Sequence, residues 1–153
     1  MSKQDVAAGI AIEVTEKHGR LYASTGNRWE RALGYSRAVR AGERVYVTGT
    51  LGLEADGTFA PDAGRQARRA LAIMLAALEA LGASASDVVW VRGYIVDIAD
   101  LDAVGMAFRE MISGPGGVSP CLTQVAVSAL ADPGAKVELE LEAVVASGQS
   151  GHE

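Results

Sequence analysis

Three carboxylates occupy alternate positions near the end of the chain: Glu138, Glu140 and Glu142, interleaved with Val137, Leu139 and Leu141. In a strand this spacing puts all three on one face, about 6.5–7 Å apart, with the apolar residues on the other. A carboxylate held partly out of water beside a like charge keeps its proton to higher pH and can carry protons near neutrality. A solvated outer face is the plain alternative for the group. Ser36 and Thr48 add hydroxyls, and Gln124 can both donate and accept. Trp29, Tyr35 and Tyr94 can supply aromatic walls, with core packing the simpler reading of Tyr94. Cys121, next to Pro120, is the single thiol. No histidine close in sequence activates it, so a small buried apolar residue is expected there.

Several chemistries are excluded early. With one cysteine and two histidines, His18 and His152, no clustered zinc-type ligand set can be assembled, and no metal or other cofactor is expected. A Ser-His-Asp triad or a dithiol centre starts badly for the same reason. Fourteen Lys+Arg against nineteen Asp+Glu leave a formal charge of −5, which gives no global reason to bind nucleic acid. Arg65, Arg68 and Arg69 make the most basic stretch, but no aromatics are interleaved to stack bases, so a solvated helix face is expected. Gly49-x-x-Gly52 and Gly114-x-Gly116-Gly117 lack the Lys-Ser/Thr ending of a phosphate loop. No apolar run approaches the ~20 residues of a membrane span, and no secretory signal is visible. A lone cysteine fits a reducing compartment, so a cytoplasmic location is expected.

These side chains must be positioned by a core of ordinary size. The chain has 153 residues, 49% hydrophobic and 22% charged, which fits one globular domain over residues 1–146, followed by a polar tail at 147–153. A first helix opens at Asp62 as N-cap. Ala67, Ala70, Leu71, Met74, Leu75, Leu78 and Leu81 form its apolar stripe, and Gly82 stops it. A second, with Asp100 as N-cap, buries Leu101, Val104, Phe108, Met111 and Ile112. Gly105 inside it costs about 1 kcal/mol against Ala, so a close approach to the backbone is expected there. Residues 36–40 and 45–48 predict a hairpin, 88–96 a long strand, and 10–15 a weaker strand. Residues 123–130 and 136–145 predict a second hairpin across Asp132-Pro133-Gly134. The order is that of an α+β fold, one mixed sheet of five or six strands with both helices on one face.

Two helices cover only one face of such a sheet. Yet Val88-Val89-Trp90-Val91 is apolar on both faces, and Val144-Val145 ends the last strand the same way. The economical cover for the second face is another copy of the chain, with any site at the seam between subunits.

The ordered motifs then become recognisable. Gly34-Tyr35-Ser36-Arg37-Ala38-Val39, followed by Val45-Tyr46-Val47-Thr48-Gly49-Thr50, resembles the opening hairpin of the RidA/YjgF family, also known as endoribonuclease L-PSP or translation-inhibitor proteins. Gln66-Ala67-Arg68-Arg69-Ala70-Leu71, Asp87-Val88-Val89, Tyr94-Ile95-Val96-Asp97-Ile98, Pro120-x-x-Thr123 and Val137-Glu138-Leu139-Glu140 resemble its later segments. The resemblance covers residues 28–145, leaving an N-terminal extension of about 28 residues, and Trp29-Glu30 resembles a side branch. It implies a chorismate-mutase-like homotrimer with small-molecule pockets at the subunit interfaces. It also implies that Glu138 orients a water, and that Ser36, Tyr35, Thr48, Gln124 and the position of Gly105 line the pocket. In the deaminase branch an arginine after the Pro-x step clamps the substrate carboxylate by a bidentate pair. Here that position is Leu122, and Gly105 stands where the family often has Asn. Leu cannot make that pair. The expectation is therefore water-assisted hydrolysis or tautomerisation at a C=N or C=O bond, without the standard 2-iminoacid binding mode. A trimer that binds a small ligand without turnover, and more remotely an RNase or translation inhibitor, are the alternatives.

Overall fold

In the computed structural model, which describes residues 2–114 and 117–147, the chain runs α1 (Lys3–Val6), β1 (Glu13–Lys17), β2 (Arg20–Ser24), α2 (Arg28–Leu33), β3 (Ala38–Ala41) and β4 (Arg44–Leu51). It continues as α3 (Ala63–Ala80), β5 (Val88–Ile95), α4 (Leu101–Phe108), β6 (Cys121–Ala126) and β7 (Val137–Val144). Pro115, Gly116 and most of the expected polar tail lie outside the described residues.

Helix α3 forms as its periodicity predicts. The Asp62 carboxylate accepts from the Arg65 backbone N–H at 2.7 Å, and Gly82 takes the left-handed conformation (φ 79°) past its end. Leu71, Met74 and Leu78 are fully buried against the sheet. Helix α4 covers the same face and packs on α3, but its entry differs from expectation. Asp97, not Asp100, supplies a capping carboxylate, accepting from Ala99 N at 2.9 Å in a 3₁₀ turn, and the helix runs on as a π turn over Arg109–Ser113.

All seven strands join one sheet in the order β1-β2-β3-β4-β7-β5-β6, antiparallel except for β5 with β6. The first hairpin, β3–β4, is as expected. The second is corrected: β6 and β7 do not pair, because β5 lies between them. The reason is burial. Val137, Leu139, Leu141 and Ala143 are at most 2% exposed, so β7 takes the middle of the sheet, whereas β6 is exposed along almost its whole length. Asp132-Pro133-Gly134 turns a connection that crosses the end of β5, where Val127 N bonds Ile95 O and Val96 N bonds Lys136 O. At the other edge the weak strand is displaced to Glu13–Lys17 and acquires a partner, β2. The joining residues His18 and Gly19 both have positive φ (53° and 72°), as a two-residue type I′ turn requires. The sheet therefore has seven strands, two of them from the N-terminal extension.

The basic stretch on α3 is also corrected, since it is not a solvated face. Arg69 is 3% exposed and donates to the carbonyls of Leu53, Val6 and Ala8, tying α1 to the helix. Arg65 pairs with Glu54 and Arg68 with Glu110. No helix among the described residues is long and apolar enough to cross a membrane.

Candidate active site on the open sheet face

Among the described residues no helix covers the face opposite α3 and α4, and cross-strand pairing fixes what that face displays. Tyr94 pairs with Glu138, Arg92 with Glu140 and Trp90 with Glu142, so β5 and β7 present these six side chains together. Tyr46, Trp90 and Val125 remain about 40% exposed there. A depression of about 500 Å³ on this face is lined by Tyr22, Tyr35, Ser36, Tyr46 and Thr48 together with Arg92, Glu140 and Glu142.

The three carboxylates differ in their partners. Glu140 accepts from the Tyr94 hydroxyl at 2.6 Å, and this bond, with burial, raises the phenol's pKa. Glu142 lies 3.4 Å from Arg92, whose guanidinium also stacks 4.2 Å from the Trp90 ring. Glu138 has no hydrogen-bond or ion-pair partner among the described residues. Burial holds its carboxyl above the usual carboxylate range, and the charge of Glu140 adds to this while Arg37 opposes it.

A β-bulge makes room for Glu138. Val47 pairs with Leu141 but Thr50 with Leu139, so β4 carries one extra residue in between. Gly49 sits in that bulge, and a Cβ on it would lie 2.3 Å from Glu138 Oε1. Only glycine lets the carboxylate rest there. Behind the bulge, Arg37 Nη1 donates to Gly49 O at 2.9 Å and to Thr50 Oγ1 at 3.1 Å. Arg37 Nη2 donates to Glu30 Oε2 at 3.2 Å, and Glu30 accepts further from the Ser24 and Thr25 hydroxyls and from Thr25 N. Glu30 and Arg37 are 3% and 6% exposed. Helix α2 delivers Glu30: Asn27 caps its start, and Gly34 (φ 74°) reverses the chain into Tyr35-Ser36-Arg37.

The expected site residues fall into two groups. Tyr35, Ser36 and Thr48 line the depression, and Glu138 stands beside it at the bulge. Trp29 projects from α2, 51% exposed, with the Arg28 guanidinium 4.6 Å from its ring centre. Leu122 and Gln124 lie on the opposite face, because they pair with Val91 and Gly93 while Glu138 pairs with Tyr94. The Gln124 amide faces α4, where a Cβ on Gly105 would meet Nε2 at 3.6 Å, an ordinary contact rather than the close approach expected there. Gln124 Oε1 is buried without a partner among the described residues. Within one chain, then, Gln124 and Glu138 do not converge. Cys121 is exposed on the edge strand, not buried as expected, because β6 has a neighbour on one side only. Among the described residues no three His, Cys, Asp or Glu side chains gather as a metal site.

Glu30 and the bulge belong to the site but are not among the residues expected there. An isolated glycine within a strand pattern is the signal for a bulge or a close backbone approach, and Gly49 carried it.

Comparison with known proteins supports the same architecture. The model of the endoribonuclease L-PSP family matches residues 25–145. The crystal structure of Rv2704 from Mycobacterium tuberculosis, a member of the YjgF/YER057c/UK114 family, is similar with a TM-score of 0.74 and 38% identity, covering 82% of this chain and 99% of that one. TdcF of Escherichia coli with bound serine superposes with a TM-score of 0.69 at 25% identity, covering 73% and 88%. A 2-iminobutanoate/2-iminopropanoate deaminase of Dermatophagoides farinae is 32% identical over 113 residues, 72% of this chain and 85% of its own. The mixed sheet with its flanking helices is the chorismate-mutase-like fold, and the chain belongs to the RidA/YjgF family.

Proposed function

We propose that this protein is a homotrimeric enzyme that acts on a small imine or carbonyl compound at the seam between subunits, with Glu138 as the proton-transferring group. The observation that carries the reading is the state of Glu138: half-buried, above its usual pKa, without a partner among the described residues and lodged over a glycine beside a lined depression. Two half-sites on opposite faces of one sheet support the oligomer. A second copy that lays its β6 edge, with Leu122 and Gln124, against the open face of the first would join them. It would also cover Tyr46, Trp90 and Val125.

For a C=N substrate the chemistry balances simply. A water held by Glu138 attacks the imine carbon, and its proton passes to the carboxylate. Returning that proton to nitrogen gives the carbinolamine, and moving its hydroxyl proton to nitrogen through the same carboxylate breaks the C–N bond, so that imine and water give carbonyl compound and ammonia. The kinship with a protein named as a 2-iminobutanoate/2-iminopropanoate deaminase makes imines the first class to test. Leu122, 39% exposed on β6, offers no charge for a carboxylate, so imines without one are the expected substrates.

Glu138→Gln keeps the size of the side chain and removes proton transfer. Of imines generated in situ with and without a carboxylate, those without one are expected to decay on the wild-type protein and to do so about 10²–10⁴-fold more slowly on the variant. Equal decay on both proteins would remove Glu138 from the reaction. Ligand binding with no turnover on either would leave a binding trimer.

A further inference from the structure

Glu30 and Arg37 form a buried ion pair that the proposed chemistry does not use directly. A pair of this kind is weak evidence for stability, since taking both charges out of water costs about as much as their attraction returns. Its geometry leads elsewhere. Glu30 spends both oxygens on Arg37, Ser24 and Thr25, so it is fixed from both sides. Arg37 spends Nη1 on the Gly49 carbonyl and the Thr50 hydroxyl, the two residues at the bulge over which Glu138 lies. Its Nε is buried with no hydrogen-bond partner among the described residues. A guanidinium with a donor unspent, placed behind the one unpartnered carboxylate of the row, does more than hold a loop.

We propose that Glu30 and Arg37 act as a positioning couple for Glu138. Glu30 holds the guanidinium, the guanidinium holds the Gly49 bulge, and the bulge fixes where the Glu138 carboxylate sits. The couple also sets the charge that Glu138 feels. Arg37 favours its ionised form, and Glu30 tempers Arg37 by pairing with the guanidinium's other terminal nitrogen. The other groups facing Glu138 are Glu140 on its own strand, which favours the protonated form, and Tyr94 and Arg92 from β5, which are engaged with Glu140 and Glu142. This inference rests on reading Glu138 as the proton carrier, and its test does not depend on turnover.

The titration of Glu138 is followed through ¹³C-labelled glutamate carboxyl resonances, assigned by their loss in Glu138→Gln. Arg37→Gln removes the cation and leaves Glu30, so Glu138 should titrate at higher pH than in wild type. Glu30→Gln leaves Arg37 uncompensated, so Glu138 should titrate at lower pH. With both substitutions the titration should fall between that of Arg37→Gln and wild type. A purely structural pair would move both single variants the same way or neither, and any such result overturns the proposal. Should Arg37→Gln fail to fold with Glu30 left unpaired, the remaining order still decides: double variant above wild type, wild type above Glu30→Gln. Glu138 could titrate in that order and yet prove dispensable for turnover, in which case the catalytic reading falls and the couple stands.

Discussion

Gly49→Ala separates the geometry of the site from the stability of the fold. The new Cβ would sit 2.3 Å from Glu138 Oε1, 3.1 Å from Cδ and 3.4 Å from Cγ, and every one of these atoms belongs to the same side chain. To restore even a close carbon–oxygen contact of about 3.3 Å, Oε1 must retreat by about 1 Å. No backbone atom stands in the way, and Gly49 is not among the positive-φ glycines, so alanine is compatible with its conformation. Replacing glycine at such a position narrows the unfolded ensemble and stabilises by about 0.4–1 kcal/mol. Stability measured by urea titration should thus stay within about 1 kcal/mol of wild type. Turnover of an imine substrate should fall by about 10²-fold, the usual cost of misplacing a reacting group by about 1 Å. Unchanged turnover in a folded variant would refute the role of Glu138. A stability loss of several kcal/mol would show instead that the bulge, not the carboxylate, gave way.

Gly52→Ala is the contrasting case: its Cβ would meet Gln66 O at 2.1 Å and Gln66 C at 2.7 Å, in the backbone of α3, which cannot step aside. A loss of roughly 3 kcal/mol in urea unfolding is expected, and a neutral result would mean that α3 is free to shift away from β4. The stability difference between Glu138→Gln and wild type should depend on pH. Burial makes the folded protein bind the Glu138 proton more tightly than the unfolded chain does, so wild-type stability falls as pH rises from 4.5 through the raised folded value. The variant should match wild type near pH 4 and exceed it in Tm near pH 8, as thermal melts across that range will show. A Tm lower than wild type at pH 8 would contradict the desolvated carboxylate.

Elements whose pattern is local are legible in the residues alone. Asp62 and Gly82 bound α3 because a cap and a left-handed stop act within a few residues. The alternation from Val137 to Glu142 settled which side of β7 is apolar, because strand geometry has a period of two. That two apolar-striped helices can cover only one face of such a sheet was equally countable. Strand order was not, because pairing joins residues far apart: β7 left the expected hairpin with β6 for the better-buried place between β4 and β5. The same rearrangement put Gln124 and Glu138 on opposite faces, since each takes its direction from its partner on β5. Nor did residue types show which of three equivalent glutamates is free. Tyr94 and Arg92 occupy Glu140 and Glu142, while Gly49 and the Glu30–Arg37 pair make the place for Glu138. Those contacts link residues 7 to more than 80 positions apart, a separation that composition and periodicity do not encode and only the folded chain supplies.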